Sequence, residues 1–265
     1  MIAVLCALPQ EINPLISRVN ITKKFSFEKS IFYHADLNGK SVIFAQTGIG
    51  RNNAVKATNY LLQTLKITSL IASGIAGGIR KGIHVGDLII GENVSYCKQS
   101  DFEGESLHLE SSYSCTRELV QLAVQLSTRL ELRAHSGDVL TVDKVISHAG
   151  TKKEIGSRTS CMSVDMESAA IAEVAHAKNM DFVVIRSVSD DVDDDLEIDY
   201  DNLITDTGKV KISHLAMNIL KNPQQLVNLK RLNKQTKTAT RTLSVFMLQF
   251  LPLLYEKMTT PTNSS

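Results

Sequence analysis

Short apolar runs of strand length alternate with stretches whose apolar residues recur every three or four positions. This is the arrangement of an α/β chain whose mainly parallel sheet is covered by helices. The runs predict buried strands at residues 2–7, 41–46, 69–73, 87–92, 134–140 and 182–188. Helical patterns follow at 9–18, 52–65, 115–126, 167–177 and 209–220. In the second of these, Ala54, Ala57, Leu61, Leu62 and Leu65 form one core-facing stripe. No Pro- or Ser-rich linker interrupts the pattern, so residues 1–220 read as a single wound domain.

The pattern changes after residue 220. Between 221 and 241 the charged residues are Lys221, Lys230, Arg231, Lys234, Lys237 and Arg241, with no acid among them. An apolar stretch over 243–254 follows, interrupted by Gln249 and Pro252 and too short for the roughly 20 apolar residues a bilayer requires. Residues 221–258 therefore predict a basic helix joined to a short apolar one, which either docks on the domain or a partner or lies against an anionic membrane surface. Residues 259–265 read as a frayed tail.

Composition narrows the function. Across 265 residues, 29 Lys and Arg balance 28 Asp and Glu, leaving a net charge of +1 and no global basic field to hold nucleic acid. Four cysteines, Cys6, Cys97, Cys115 and Cys161, form no CxxC pair, which points to a reduced, cytoplasmic setting without a zinc site or disulfide framework. The opening apolar run is stopped by Pro9, Gln10 and Glu11 and lacks a basic leader, so it reads as a buried strand rather than a signal peptide.

Three segments carry candidate chemistry. Two glycine turns, Gly74-Ile75-Ala76-Gly77-Gly78 and Gly48-Ile49-Gly50-Arg51, each follow a predicted strand, where α/β sheets open their ligand crevice. Arg51 at a helix start is a candidate anion ligand. Neither turn matches GxGxxG or the Walker lysine motif, which argues against a dinucleotide or ATP enzyme. In Val164-Asp165-Met166-Glu167, Glu167 opens an Ala-rich helix, where its carboxylate either complements the helix dipole or accepts hydrogen bonds from a vicinal diol. Arg186, Ser187, Ser189 and Asp190 crowd polar groups at the end of a buried strand, a costly arrangement unless they meet one another or a ligand. Asp190 and Asp191 lead into Asp193, Asp194, Asp195, Glu197, Asp199 and Asp201. Close carboxylates of this kind hold one another's protons, but the spacing excludes an EF-hand, and the run reads as a solvated loop rather than a metal site.

The order of these pieces resembles the purine nucleoside phosphorylase and uridine phosphorylase superfamily, and within it the branch of the methylthioadenosine/S-adenosylhomocysteine nucleosidases. The resemblance covers residues 2–191 and rests on Ala7-Leu8-Pro9-Gln10-Glu11, Gly48-Ile49-Gly50, the turn at 74–78 followed by Val85-Gly86-Asp87, and Val164-Asp165-Met166-Glu167 with Arg186-Ser187-Val188-Ser189-Asp190. It implies a three-layer αβα domain with a central mixed, mainly parallel twisted sheet, carrying the C-terminal helical extension. It also implies cleavage of the N-glycosidic bond of a 5′-modified purine nucleoside, without cofactor or metal, by a homodimer. Carried over by position, Glu11 would activate water, Glu167 would hold the ribose hydroxyls and Asp190 would protonate N7 of the leaving purine. Met166 would pack on the sugar, Val145 and Ile146 would lie beside the base, and Arg186 would support the carboxylates. The main-chain turn at Ile75 departs from the nucleosidase pattern, which usually has Ser there. Its GIAGG form is similar to futalosine hydrolase and hopanoid-associated phosphorylase relatives, and the extension beyond 220 exceeds the compact nucleosidases.

The acceptor is water by this reading, because the early loop is acidic where phosphorylases hold phosphate. Phosphate, with Arg51 as its ligand and a hopanoid-linked adenosine among the substrates, is the alternative, and a catalytically silent nucleoside-binding module is a second. Departure of the purine builds positive charge on the sugar and negative charge on the base. Anions near the ribose and a proton near N7 therefore both favour the transition state.

Overall fold

The computed structural model describes residues 1–98, 109–196 and 224–259. In chain order the elements begin with β1 (Ile2–Cys6), α1 (Pro9–Ile16), β2 (Asn20–Phe27), β3 (Ser30–Leu37), β4 (Lys40–Gln46), α2 (Arg51–Thr64) and β5 (Ser69–Gly78). They continue with β6 (Leu88–Cys97), β7 (Ser111–Ser114), α3 (Arg117–Arg129), β8 (Ala134–Val142), α4 (Ala149–Arg158), β9 (Ser163–Asp165), α5 (Ser168–Ala177), β10 (Asp181–Asp190) and a C-terminal helix α6 (Gln224–Thr259). The six strands predicted from apolar runs are β1, β4, β5, β6, β8 and β10. The helix expected over 209–220 lies outside the described residues.

All strands join one mixed sheet. From β5 one arm runs through parallel β1 and β4 and then the antiparallel hairpin of β3 and β2. On the other side the pairings form a closed circuit, β5 to β10, β6, β8 and β9, with β9 returning to Gly77 and Gly78 at the end of β5. This circuit brings the carboxyl ends of β5, β9 and β10 together, and the polar residues gather there. Along β5 and β10 the register pairs Gly74 with Arg186 and Gly77 with Asp190, with an irregularity between Val188 and Asp190. Such a bulge re-aims the side chains beyond it.

The segment after 220 is one continuous helix where it is described, rather than two. Its apolar half supplies Leu243, Phe246, Met247, Phe250, Leu251 and Leu254 to the main hydrophobic core, all at 0% exposure. It packs on β10, α1 and α3. Tyr255 fixes its far end by accepting from Ile2 N at 3.2 Å and donating to the Ser41 carbonyl. Of the alternatives the sequence left open, the apolar half is thus docked on the domain itself. Lys230, Lys234, Lys237 and Arg241 stay exposed on the outer half. Among the described residues, no helix is long and apolar enough to cross a membrane.

Candidate active site

Glu11 sits at the third position of α1 and is almost fully buried. Its Oε2 accepts from Leu8 N at 2.7 Å, reaching back over the helix start, and its Oε1 accepts from Ile75 N at 2.8 Å. The carboxylate therefore ties the β1–α1 turn to the glycine turn of β5. Burial pushes its pKa up, opposed by the Arg186 guanidinium and these amides. Gly74 is required by this closeness. A Cβ there would lie 2.6 Å from Glu11 Oε1 and closer still to Arg186 Nη1, with both side chains confined.

Glu167 stands at the N-cap of α5 but serves another helix. Its Oε1 accepts from Gly50 N at 2.7 Å, at the N-terminus of α2. Gly50 adopts φ +88°, a conformation that favours glycine, and this aims its amide at the carboxylate. The anion met by this turn is thus Glu167 of the chain itself. Burial raises the Glu167 pKa to about 7; Arg186 opposes the rise, while Asp165 and Glu11 add to it.

Arg186, 1% exposed, holds this group together. Its Nε pairs with Asp165 Oδ2 at 2.9 Å, its Nη2 donates to Ser168 Oγ at 2.8 Å, and Nη2 lies 3.9 Å from Glu167 Oε2. Asp165 is the organiser that the sequence reading passed over. Its Oδ1 accepts from Thr141 Oγ1 at 2.7 Å and from the amides of Glu167 and Ser168, both at 3.1 Å, so it shapes the turn that presents Glu167. The only signal was its place in Val164-Asp165-Met166-Glu167.

Asp190 closes β10, 4% exposed. A Cβ on Gly77 would lie 3.1 Å from its Oδ2, which places it beside the far end of the same glycine turn that Glu11 touches. Its Oδ1 accepts from Ser189 Oγ at 2.6 Å. The sequence suggested acidic neighbours around it, but its partner is an ammonium. Lys152 Nζ donates to Oδ2 at 2.5 Å from the unforeseen helix α4. The acids that follow are engaged elsewhere. Asp191 accepts from Val85 N and bonds His84 Nδ1, Asp193 pairs with Lys153, Asp194 meets Gln235 and Arg231, and Asp195 accepts from Ala149 N at the start of α4. Asp193 and Asp195 stay exposed as expected of a solvated loop, but these contacts tie the loop to its surroundings. Glu197, Asp199 and Asp201 lie outside the described residues.

The remaining expected residues divide. Ile75 contributes its backbone amide to Glu11. Met166 and Val145 are half-buried near the same strand ends. Ile146 packs into a second apolar cluster with Ile79, Leu140, Ile155 and Val164. Arg51 is already partnered by a carboxylate, donating through Nη2 to Glu173, and it stacks over Tyr96 at 4.7 Å from the ring centroid. Glu11 and Glu167 thus meet at Arg186, while Asp190 lies farther along the same end of β5, with Glu11 beside Gly74 and Asp190 beside Gly77. The expected glycine turn is in fact the end of strand β5, and at about 3.3 Å per residue Gly74 to Gly77 spans roughly 10 Å.

A family model described as Phosphorylase superfamily matches residues 1–221, and the chain belongs to that superfamily. One curated relative, 28% identical over 225 residues, covers 83% of this chain and 97% of its own length. It is the 5′-methylthioadenosine/S-adenosylhomocysteine nucleosidase of Halalkalibacterium halodurans. Among solved structures, the nucleosidase of that name from Neisseria meningitidis, in complex with methylthio-immucillin-A, superposes with a TM-score of 0.73 at 25% identity, covering 94% of this chain and 97% of that one. Futalosine hydrolase of Helicobacter pylori shares the fold, with a TM-score of 0.74 at 18% identity over 95% and 97% of the two chains.

Proposed function

We propose that the chain hydrolyses the N-glycosidic bond of a 5′-modified purine nucleoside. The observation that supports this best is the meeting of Glu11 and Glu167 at Arg186, with Asp190 beside Gly77 at the same end of β5. Glu11 takes a proton from the attacking water, and its upward-shifted pKa suits a base working near neutrality. Glu167 accepts from the ribose hydroxyls while anchored on Gly50 N, and its negative charge stabilises the oxocarbenium-like sugar. Asp190 gives a proton to N7, so the purine leaves as a neutral base. Arg186 keeps two carboxylates close without mutual repulsion.

Water is favoured over phosphate because Glu167 fills the amide site at the α2 start and Glu173 holds Arg51. An observation on the side of phosphate is Arg51 Nη1, buried without a hydrogen-bond partner among the described residues. The deciding experiment follows purine release by liquid chromatography from methylthioadenosine, adenosylhomocysteine, futalosine, inosine and adenosylhopane, with and without phosphate. Release without phosphate from at least one 5′-modified nucleoside is expected. Strict phosphate dependence would overturn the hydrolase assignment, and release from none would overturn the enzyme. The reading extends to a cytoplasmic homodimer, in which four buried thiols stay reduced. Sedimentation at assay concentrations tests the dimer.

A further inference from the structure

A fully buried lysine is rare because removing an ammonium from water costs several kcal/mol unless it is well paired. Lys152 is 0% exposed, and all three of its N–H donors are used. They meet Asp190 Oδ2, the Asp191 carbonyl at 3.1 Å and the Asp194 carbonyl at 3.0 Å. Its place is fixed from both sides. Gly156, one turn further along α4, lies so close to the Ile79 carbonyl that no Cβ fits between them, and Ile155 is buried in the cluster around Ile79 and Val164. The Asp195 carboxylate holds the first amide of the same helix. Ser189 Oγ, itself within 3.2 Å of the Ala76 carbonyl, donates to the other carboxylate oxygen. Asp190 is thus held at both oxygens, one of them by a cation that no element of the proposed reaction has yet used.

We propose that Lys152 is a positioning residue for proton transfer at Asp190, orienting its carboxyl group and facing with positive charge the carboxylate left behind when the proton passes to the departing purine. The inference rests on the nucleosidase reading above. In the step, the O–H bond of Asp190 breaks and N7–H forms. The C1′–N9 pair withdraws into the purine, and the water oxygen bonds C1′ while its proton goes to Glu11. Lys152 keeps its three protons throughout. Its attraction is stronger after Asp190 has become an anion than before, so it acts on the transition state more than on the ground state.

The test compares two leaving groups on the same 5′-modified ribose: a purine, which needs protonation, and nitrophenolate, which departs without it. Lys152→Met removes the charge, and Lys152→Gln keeps one donor toward Asp190 in case the first variant is poorly folded. In both, kcat for purine release should fall by about 10- to 100-fold with KM little changed, the lower part of the range that acid assistance contributes. Nitrophenolate release should stay within about threefold of the parent enzyme. The ratio of the two rates does not depend on how much of a preparation is folded. Parallel loss on both substrates would reduce Lys152 to a structural role and overturn the proposal, as would an unchanged purine rate. Failure of the unmodified enzyme on every purine nucleoside would instead defeat the underlying nucleosidase reading. In Lys152→Ala, added ethylammonium should restore purine release while an equal concentration of ethanol should not. Rescue by both or by neither counts against the role of the charge.

Discussion

Replacing Glu167 by Gln should flatten the dependence of folding stability on pH. In the folded chain burial raises the pKa of this carboxyl from its ordinary 4.5 to about 7. Between those two values the folded state holds a proton that the unfolded state has released, so unfolding stability falls as pH rises. The contribution is complete below pH 4.5 and is lost as pH passes through about 7. At about 1.4 kcal/mol per pH unit the difference amounts to about 3 kcal/mol. Gln cannot ionise, and its amide oxygen can still accept from Gly50 N, so any fixed cost of the substitution is the same at every pH. The chain has no Trp, so urea unfolding is best followed by far-UV circular dichroism, on both proteins, below pH 4.5 and again above pH 7. The stability of Glu167→Gln relative to the parent should improve by about 3 kcal/mol from the lower pH to the higher. Glu11, raised in the same direction, leaves a residual slope in both proteins. Equal slopes in the two proteins would refute the buried, proton-holding Glu167 described above.

Gly74→Ala should abolish purine release and destabilise the fold by about 1–3 kcal/mol, the cost of overpacking, because a methyl group cannot pass between Glu11 and Arg186; activity assays and a thermal melt check both. Phe250→Ala, deep in the α6 contact, should cost about 3–5 kcal/mol in denaturant unfolding while the surviving folded fraction keeps its KM. Glu11→Gln should lower kcat by about 10²–10⁴-fold with substrate still bound, read from turnover alongside calorimetric titration with a non-hydrolysable analogue. Arg51→Ala should leave water-dependent release within about threefold of the parent, since on the proposed reading it breaks only a half-exposed pair with Glu173 and the stacking over Tyr96.

The sheet was legible wherever strands are buried on both faces, because β1 is a continuous apolar run and β5 and β10 carry apolar runs in their first halves. The β2–β3 hairpin escaped because β2 is largely exposed, with Lys23 and Lys24 in its middle, and its turn uses Glu28 at φ +49° instead of the usual glycine. Helix α4 carries two glycines and buries a lysine, so it shows no apolar stripe to read. The three carboxylates were found from their sequence contexts, but what holds each one was not. Ile75 N, Gly50 N and Lys152 Nζ come from segments remote from the acids they hold, and no local pattern records a partner more than a hundred residues away in the case of Gly50 and Glu167. The same reason hid the engagement of Asp191 to Asp195, whose composition alone suggests a hydrated loop.

The helix that closes the core also comes last in chain order among the described elements. Until Leu243, Phe246 and Phe250 emerge from the ribosome, β10 lacks the apolar backing that lies behind Arg186 and Asp190. A nascent chain therefore carries every residue of the site for some time before they can be locked in place. Competence to split a nucleoside waits on this helix, and a chain cut short before it would leave β10 without its apolar cover.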